Sequence, residues 1–234
     1  MIRLDKYLAD MGIGTRSEVK NIIRKKQVSV NGMPISKPEA KVDITKDTVC
    51  YQGKTVAYEP YVYYMLNKPP GVLTAVKDNN YKTVMDIMDV TPKEGLFPVG
   101  RLDKDTEGLL LITNDGELSH NLLSPKKHVN KTYYVELNGE LIDSDIDLFA
   151  KGLDIGEKNI TKPAKLEILS GRNRAYITII EGKYHQVKRM FQAIGLTVTF
   201  LKRISMGSLI LDKNLKSGGY RKLTEEEISN LKSN

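Results

Sequence analysis

Carboxylate side chains gather in the stretch GRLDKDTEGLLLITNDG, which spans residues 100–116. Asp103, Asp105 and Glu107 alternate along it and are followed by the apolar run Leu109–Ile112. Carboxylates in such an arrangement can bind a cation, cap a turn, or supply one general base or nucleophile. Because the whole chain carries a formal net charge of +7, this local group of acids calls for an explanation.

The cation-binding interpretation fails at one position of the stretch. Its acids and the glycine after them match positions 1, 3, 5 and 6 of an EF-hand loop, but position 12, which requires a bidentate Glu, is Asn114. An EF-hand also needs flanking helices, whereas the apolar run that follows predicts a strand. Calcium binding is therefore disfavoured. A structural role, in which Asp103 caps a turn or pairs with Arg101, stays open from this stretch alone.

The composition excludes several classes of protein. The 234 residues are 40% hydrophobic and 28% charged, which is typical of a globular chain with one core or two modest ones. No apolar run approaches the roughly 18 residues of a membrane helix, and the charged start MIRLDKYLAD is unlike a signal peptide. The single cysteine, Cys50, excludes an intrachain disulfide framework. We interpret it as a small apolar filler and expect a cytoplasmic protein.

Positive charge is concentrated in the first quarter of the chain. Residues 1–58 hold 11 Lys and Arg against 6 Asp and Glu, a net +5, and residues 59–234 hold the remaining 25 and 23, a net +2. The sequence pI is about 9.2. A basic segment of this kind favours a polyanionic partner such as a nucleic acid.

The basic segment has the pattern of two helices followed by a hairpin. Its first apolar residues recur at i, i+4 and i+7, and TRSE at residues 15–18 fits a capping box that begins a second helix. QVSVNG alternates apolar and polar residues up to Asn31-Gly32, a strong hairpin signal. The proline in YEPYVYYML marks a boundary after Tyr58, which predicts two domains, residues 1–58 and 59–234.

The rest of the chain mixes strands and helices without regular βαβ units. We predict a rigid turn at NKPPG and strands at GLLLIT, KTYYVEL and RAYITIIEG. We predict helices at ELSHNLL and at HQVKRMFQAIG, the latter ended by Gly195, and a last helix begun by a capping box at Thr224. This mixture favours an α+β fold over a doubly wound sheet.

Several motifs, taken in order, resemble those of the pseudouridine synthases. GRLD followed by T-x-G and an apolar strand is similar to the catalytic motif of that family. NKPPG precedes it, and KTY and EGKYHQVKRMF follow it in the expected order. The segment RLDKYLADMGIGTRSEVKNIIRKKQVSVNG resembles the S4 RNA-binding domain. The resemblance implies a small S4-like helix–helix–hairpin domain and a catalytic domain with a mixed, mainly antiparallel sheet flanked by helices.

The resemblance also implies an active site and a role for one of the acids. Asp103 would be the carboxylate that attacks or stabilises the ribose C1′ of a flipped-out uridine, and Lys188 would keep it ionised in a water-poor pocket. Tyr133 would stack on the uracil, with Tyr134 facing the other way because side chains alternate along a strand. Arg101 would contact RNA phosphate or fill the gap left by the flipped base. The other expected substrate-binding residues of this site are Leu102, His185, Gln186 and Arg189.

No cofactor and no metal are expected for this reaction. Uridine becomes pseudouridine when the N-glycosidic bond breaks and C5 rejoins C1′, which needs neither a redox step nor a group donor. The chain contains no dinucleotide-binding glycine motif, no Walker loop and no dense Cys/His cluster. Its three histidines, His120, His128 and His185, lie far apart in sequence, which disfavours a zinc site.

The expected partner is ribosomal RNA. YYMLNKPPG, ITKPAKLEI and YRKLTEEEI are similar to the branch of the family that modifies 16S rRNA. This implies a target of the uridine-516 type within a small-subunit assembly particle, and a monomeric enzyme without a membrane partner. The expected phosphate contacts of the S4-like domain are Arg3, Lys6, Arg16, Lys20, Arg24 and Lys25. Two alternatives stay open: the same chemistry on 23S rRNA, and a non-catalytic S4-type RNA-binding or ribosome-assembly protein.

Overall fold

The computed structural model describes residues 1–59, 61–90, 95–124 and 126–233. It divides into two compact units: one is Met1–Val62, with which Val90 is grouped, and the other is Tyr63–Asp89 with the described residues from Gly95 onward. Pro60, on which the predicted boundary after Tyr58 rests, lies outside the described residues. Two independently folding domains therefore stay a prediction.

The first unit contains two helices and several short strands. Their bounds are β1 Ile2–Arg3, α1 Leu4–Asp10, α2 Arg16–Arg24, β2 Val28–Val30, β3 Met33–Ile35, β4 Lys41–Val42, β5 Val49–Tyr51 and β6 Lys54–Thr55. The predicted capping box is confirmed, because the Thr15 and Glu18 side chains each accept a hydrogen bond from the other residue's backbone N–H. The predicted hairpin joins β2 to β3, and Asn31 and Gly32 both have positive φ.

Leucine and valine side chains from both helices and the hairpin form the core of this unit. Leu4 and Leu8 of α1 pack with Val19 and Ile23 of α2 and with Val28 of β2. Because α2 buries only this side, its other side remains a largely exposed basic surface. Cys50 is a free, half-buried cysteine whose Sγ lies 3.7 Å from the Thr55 hydroxyl, and its role as a small filler stays a prediction.

The second unit contains the larger sheet and four helices among its described residues. Its elements are β7 Tyr63–Lys68, β8 Phe97–Pro98, β9 Glu107–Thr113, α3 Gly116–Leu123, β10 Lys131–Leu137, α4 Asp143–Lys151, β11 Lys165–Ile168, β12 Arg174–Ile179, α5 Gln186–Ala193, β13 Val198–Met206, β14 Leu209–Ile210, β15 Tyr220–Lys222 and α6 Glu225–Lys232. The strands and helices predicted for this half are confirmed apart from small shifts at their ends. One shift matters for the site: Asn67 and Lys68 belong to β7 rather than to the NKPPG turn.

The sheet is mixed and mainly antiparallel, as predicted. Its strands lie in the order β11-β12-β10-β13-β9-β7-β15, with β8 paired to β9 and β14 to β13. Among the described pairings between the named strands of this sheet, only the central contact between β9 and β13 is parallel. This contact brings the start of β9, directly after the GRLD loop, beside Arg203 in the middle of β13.

Gly108 allows the two central strands to approach each other. Its φ is +101°, and a Cβ at this position would lie 2.2 Å from the backbone oxygen of Arg203. No other residue fits this position without a shift of the backbone. The glycine of the T-x-G motif is therefore explained by the packing of β9 against β13.

The helix that follows the EGKYH segment, α5, is anchored by an apolar face. Val187, Met190 and Phe191 are buried, and the ring of Phe191 lies 4.9 Å from that of Phe149 in α4. The helix ends as predicted, because Gly195 after it has a φ of +81°. This packing holds the opposite, polar face of α5 toward the GRLD loop.

Candidate active site

One pocket of the second unit brings together most of the residues predicted for the active site. It lies between the GRLD loop, the sheet strands β10, β12 and β13, and the start of α5. The residues that line it are Arg101, Leu102, Asp103, Thr106, Tyr133, Ile179, Gly182, Lys183, His185, Gln186, Val187, Lys188 and Leu201. Of the predicted active-site set, only Arg189 is absent from this lining.

Two side chains approach the carboxylate of Asp103 without forming short hydrogen bonds to it. Its Oδ1 lies 3.5 Å from Nε2 of His185, and its Oδ2 lies 3.4 Å from Nζ of Lys188. Both distances exceed those of ordinary hydrogen bonds, so these contacts are mainly electrostatic. With its side chain 26% exposed, Asp103 presents carboxylate oxygens that these neighbours do not engage in short hydrogen bonds.

The motif predicted Lys188 as the partner of Asp103. In the structure its ammonium group is shared between two carboxylates. Its Nζ donates a 2.6 Å hydrogen bond to Oδ1 of Asp105, which is closer than its contact with Asp103. Burial alone would raise the pKa of Asp105, but the hydrogen bond and charge of Lys188 outweigh it, and the pKa lies below its usual value. Asp105 therefore positions the ammonium group.

Tyr133 and Tyr134 face opposite sides of β10, as the strand pattern predicted. Tyr133 is buried and lines the pocket. The ring of Tyr134 contacts Tyr176 and Phe200 on the other face, and its hydroxyl donates to Glu136. Only Tyr133 can meet a base that enters the pocket.

A buried lysine that sequence reasoning missed holds the GRLD loop. Lys68 is fully buried, and its Nζ donates hydrogen bonds to the backbone oxygens of Pro69, Lys104 and Thr106, at 3.0, 3.2 and 2.9 Å. The last two oxygens belong to residues one and three positions after Asp103 in the chain. Burial lowers the pKa of Lys68 to about 8, although the carboxylates of the loop oppose this change. The signal in the sequence that could have identified Lys68 is a lysine at the end of the apolar strand YYMLNK.

Further hydrogen bonds fix the same loop to the segment after β7. The Gly71 N–H donates to the Lys104 oxygen at 2.7 Å. The Thr74 hydroxyl donates to the Leu102 oxygen at 2.8 Å and accepts from the Leu102 N–H. The NKPPG segment, predicted as a turn, thus also holds the loop in its conformation.

A second cation missed from the sequence lies inside the sheet. Arg203 is almost completely buried, stands opposite Tyr133 in the strand register, and donates through Nε to the Leu109 oxygen at 2.8 Å. Its Nη2 has no hydrogen-bond partner among the described residues. Burial and the charge of Arg203 both lower the pKa of the buried Lys131. We predicted a strand at Lys131 and none at Arg203, and only the neighbours of these residues in the fold identify them as buried charges.

Two predicted substrate-binding residues direct their side chains to the protein. Gln186 is buried, donates to Glu181 and accepts from the backbone N–H of Lys183, each at 2.9 Å. Arg189 donates to Glu157 at 2.8 Å and to the Ile155 oxygen. Both residues stabilise loops around the pocket, and a direct contact with RNA stays a prediction. Arg101 is exposed and Leu102 is buried, and both line the pocket as expected.

The basic residues of the first unit differ in how far they are free to bind RNA. Arg3 forms two hydrogen bonds to the buried Asp5, at 3.0 and 2.8 Å, and this contact keeps the pKa of Asp5 below its usual value. Lys6 lies 3.9 Å from Asp10. The four predicted contacts on or next to α2 are exposed except for the half-buried Lys20, and they are Arg16, Lys20, Arg24 and Lys25.

The aspartate in a pocket of a mixed sheet and the small basic helical unit agree with the expected class, an RNA-modifying enzyme. Family models agree: the one described as RNA pseudouridylate synthase matches residues 62–193, and the S4 domain matches residues 2–49. The chain belongs to the RNA pseudouridine synthase family. The prediction of an isomerase with an S4 domain is thereby confirmed.

Relatives are similar over nearly the whole chain. The uncharacterized RNA pseudouridine synthase YtzG of Bacillus subtilis is 49% identical over 97% of both chains. Ribosomal small subunit pseudouridine synthase A of Escherichia coli is 40% identical over 98% of this chain and 100% of its own. A crystal structure of a pseudouridylate synthase, 39% identical, matches with a TM-score of 0.70 and covers 99% of this chain and 100% of its own. Among the described residues, no helix combines the length and apolarity needed to cross a membrane.

Proposed function

We propose that this enzyme converts a specific uridine of 16S rRNA to pseudouridine with Asp103 as its catalytic carboxylate. The observation that carries the proposal is that Asp103, Tyr133 and Lys188, far apart in sequence, line one pocket. The proposed target is supported by the relatives named ribosomal small subunit pseudouridine synthase A. The uridine-516 type of site is part of the same proposal.

The reaction requires a group that acts on the ribose C1′. The bond between C1′ and N1 breaks, the uracil rotates, and a bond forms between C1′ and C5. The proton on C5 leaves and N1 gains one, so the product is an isomer of the substrate. Asp103 serves either as the nucleophile at C1′ or as the negative charge that stabilises the departing sugar. Both roles need oxygens that are not held in short hydrogen bonds, as found for its contacts with Lys188 and His185.

The charges around Asp103 suit a transition state with positive charge on the sugar. Two carboxylates, Asp103 and Asp105, share one ammonium group, that of Lys188, so the three groups together carry one negative charge. This arrangement favours an oxocarbenium-like C1′, because opposite charges attract strongly where water is excluded. Lys188 offsets the repulsion between the two carboxylates and keeps the loop compact.

The walls of the pocket suit a flipped-out pyrimidine. Leu102, Ile179 and Leu201 supply apolar contacts, and Tyr133 supplies an aromatic ring. A uridine inside a helix cannot reach such a site, so the base must leave its stack to react. Stacking on Tyr133 then holds the uracil near C1′ while it rotates.

The first unit supplies affinity for the RNA backbone. We propose that the exposed basic residues of α2, chiefly Arg16 and Arg24, contact phosphates and position the rRNA without reading its sequence. The proposed setting is a monomer acting on a small-subunit assembly particle in the cytoplasm, without a membrane partner.

Tritium release tests the proposal. 16S and 23S rRNA labelled at uridine C5 are incubated with the wild type, with Asp103→Asn and with Asp105→Asn as the matched control in the same loop. We expect release from 16S rRNA by the wild type, release within about tenfold of it by Asp105→Asn, and a loss of at least about 1000-fold in Asp103→Asn. Comparing naked 16S rRNA with protein-bound fragments identifies the form of the substrate.

Each other outcome contradicts a defined part of the proposal. Release from 23S rRNA alone would replace the target with the 23S alternative. Equal release by the wild type and Asp103→Asn would assign the chemistry to another carboxylate. The non-catalytic alternative has no observation in its favour, because the chain belongs to an enzyme family.

A further inference from the structure

Tyr184 is an aromatic side chain left open to solvent beside the pocket. Its ring is stacked on that of His185, with centroids 3.8 Å apart and planes inclined by 17°. His185 lines the pocket, and its Nε2 lies 3.5 Å from Oδ1 of Asp103. Two parallel rings therefore lead from the proposed catalytic carboxylate to the protein surface.

The packing of the protein does not explain the position of Tyr184. Its side chain is 75% exposed, more than that of any other large aromatic residue among those described. One face of the ring meets His185, and an exposure this high leaves the other face accessible. Tyr81, by comparison, has the ammonium of Lys104 3.8 Å from its ring centroid. Tyr184 thus presents a free aromatic face at the pocket mouth.

The backbone around Tyr184 is held in place before any ligand binds. Its carbonyl oxygen accepts a hydrogen bond from Arg189 at 3.2 Å, and the neighbouring Lys183 donates to the backbone oxygens of Asn159 and Ile160. His185 has a φ of +49°, a left-handed conformation that is uncommon outside glycine. Such unfavourable conformations concentrate at functional sites. A ring fixed in advance loses little conformational entropy when a ligand stacks on it.

The ring lies near several cationic side chains, of which Lys188 and Arg189 are already paired with carboxylates. Lys183 and Lys188 line the adjacent pocket together with Arg101, and Arg189 holds the Tyr184 carbonyl. An accessible aromatic face amid cations is the arrangement by which proteins bind single-stranded nucleic acid, through base stacking and contacts with phosphate.

We propose that Tyr184 is a stacking platform for the base next to the target uridine. When the uridine enters the pocket, its neighbour loses a stacking partner, and a ring at the pocket mouth can replace it. Tyr184 then offsets part of the unstacking cost and favours substrates in which a base directly flanks the reacting uridine. The proposal rests on the proposed function, because it requires a flipped uridine beside Asp103.

A double-mutant cycle between enzyme and RNA tests this contact. The substrate is a 16S fragment labelled at C5 of the target uridine, either natural or with an abasic nucleotide at the 5′ or the 3′ neighbour. The full-length wild type is compared with Tyr184→Leu, which removes the aromatic ring, and with Tyr184→Phe, which keeps it. Ile210→Ala, at an exposed position of β14 outside the pocket, is the control for surface substitution.

The expected result is a loss of binding without a loss of chemistry. Tyr184→Leu should raise KM about tenfold with little change in the single-turnover rate at saturation, and Tyr184→Phe should restore KM. One abasic neighbour should raise KM of the wild type by a similar factor but have little further effect on Tyr184→Leu.

Two other outcomes overturn the inference without affecting the proposed function, and a third affects the proposed function alone. Independent, multiplicative effects of Tyr184→Leu and of both abasic nucleotides would show that neither neighbour stacks on Tyr184. A fall in the saturating rate at constant KM would mean that Tyr184 acts through His185 instead. A wild type active only on 23S rRNA would overturn the proposed target, and the same cycle on the 23S fragment would then decide the role of Tyr184.

Discussion

Replacing Lys68 with methionine tests how the loop that carries Asp103 is held. Lys68 is fully buried, and its three hydrogen bonds all end on backbone oxygens. Methionine has a similar length and no charge, so it fills the space but makes none of these bonds. The substitution therefore separates the ammonium group from the volume of the side chain.

The effect on stability should depend on pH in a defined direction. Burial lowers the pKa of Lys68 to about 8 in the folded protein, while the ordinary value of 10.5 applies after unfolding. Between these values the unfolded chain holds a proton that the folded protein has released, so the free energy of unfolding rises with pH. At about 1.4 kcal/mol per pH unit, the full rise is roughly 3 kcal/mol. The free-energy cost of burying the charge is present in full below pH 8 and is progressively relieved above it. The Lys68→Met protein should lack this rise in the free energy of unfolding.

The effect on activity follows from the positions of the three acceptors. Without the ammonium group, the Thr106 oxygen loses its side-chain donor, and the Lys104 oxygen keeps only the Gly71 N–H. The loop can then shift Asp103 relative to the pocket. A displacement near 1 Å costs about 100-fold in rate, so we expect a single-turnover rate about 100-fold lower with little change in KM.

Urea denaturation from pH 7 to pH 10.5 measures the stability effect. The quantity to compare is the change in the free energy of unfolding with pH, because other groups titrate equally in both proteins and cancel. Lys82→Met, the same substitution at an exposed lysine of this unit, should follow the wild type. Identical pH profiles for the wild type and Lys68→Met would refute the argument that Lys68 is a buried, destabilised cation.

Substitutions at two positions and one truncation test other parts of the structure. Lys188→Ala should lower the single-turnover rate at least about 100-fold, because Asp103 and Asp105 then repel each other. Lys188→Arg keeps the charge and should retain most of the rate. Equal rates for the wild type and both variants would exclude an electrostatic role of Lys188. Gly108→Ala should lower the free energy of unfolding by about 3 kcal/mol or more, because the added Cβ would meet the Arg203 backbone oxygen. Urea titration measures this effect, and an unchanged midpoint would contradict the close contact between the two strands. Removing residues 1–58 should weaken RNA binding and make the affinity less dependent on salt concentration. Circular dichroism should show that the remaining residues fold. An unfolded remainder would contradict the two predicted domains.

Local features of the fold were predictable because a few neighbouring residues decide them. The capping boxes at Thr15 and Thr224 need only two side chains three residues apart and the backbone N–H group of each. The hairpin at Asn31-Gly32 needs two residues that tolerate positive φ. The opposite directions of Tyr133 and Tyr134 follow from the pleat of a strand. No long-range contact enters any of these inferences.

The partners of the charged residues were not predictable in the same way. The motif associated Lys188 with Asp103, yet its shortest contact is with Asp105. Gln186 and Arg189 belong to a motif that predicts RNA contacts, yet their side chains bind neighbouring loops. Sequence position supplies the residue type, whereas the distance to a partner depends on how separate segments pack.

The sequence by itself determined the family, several of the helices and strands, and the residues proposed for the active site, because these depend on residue types and short-range spacing. Only the tertiary structure revealed that Lys68 holds the GRLD loop, that Arg203 is a buried cation and that Tyr184 presents a free ring beside His185. The physical reason is that the burial and charge pairing of a residue depend on the place that the folded chain gives it. The parallel contact of β9 with β13 and the packing of α5 create that place from segments distant in the chain.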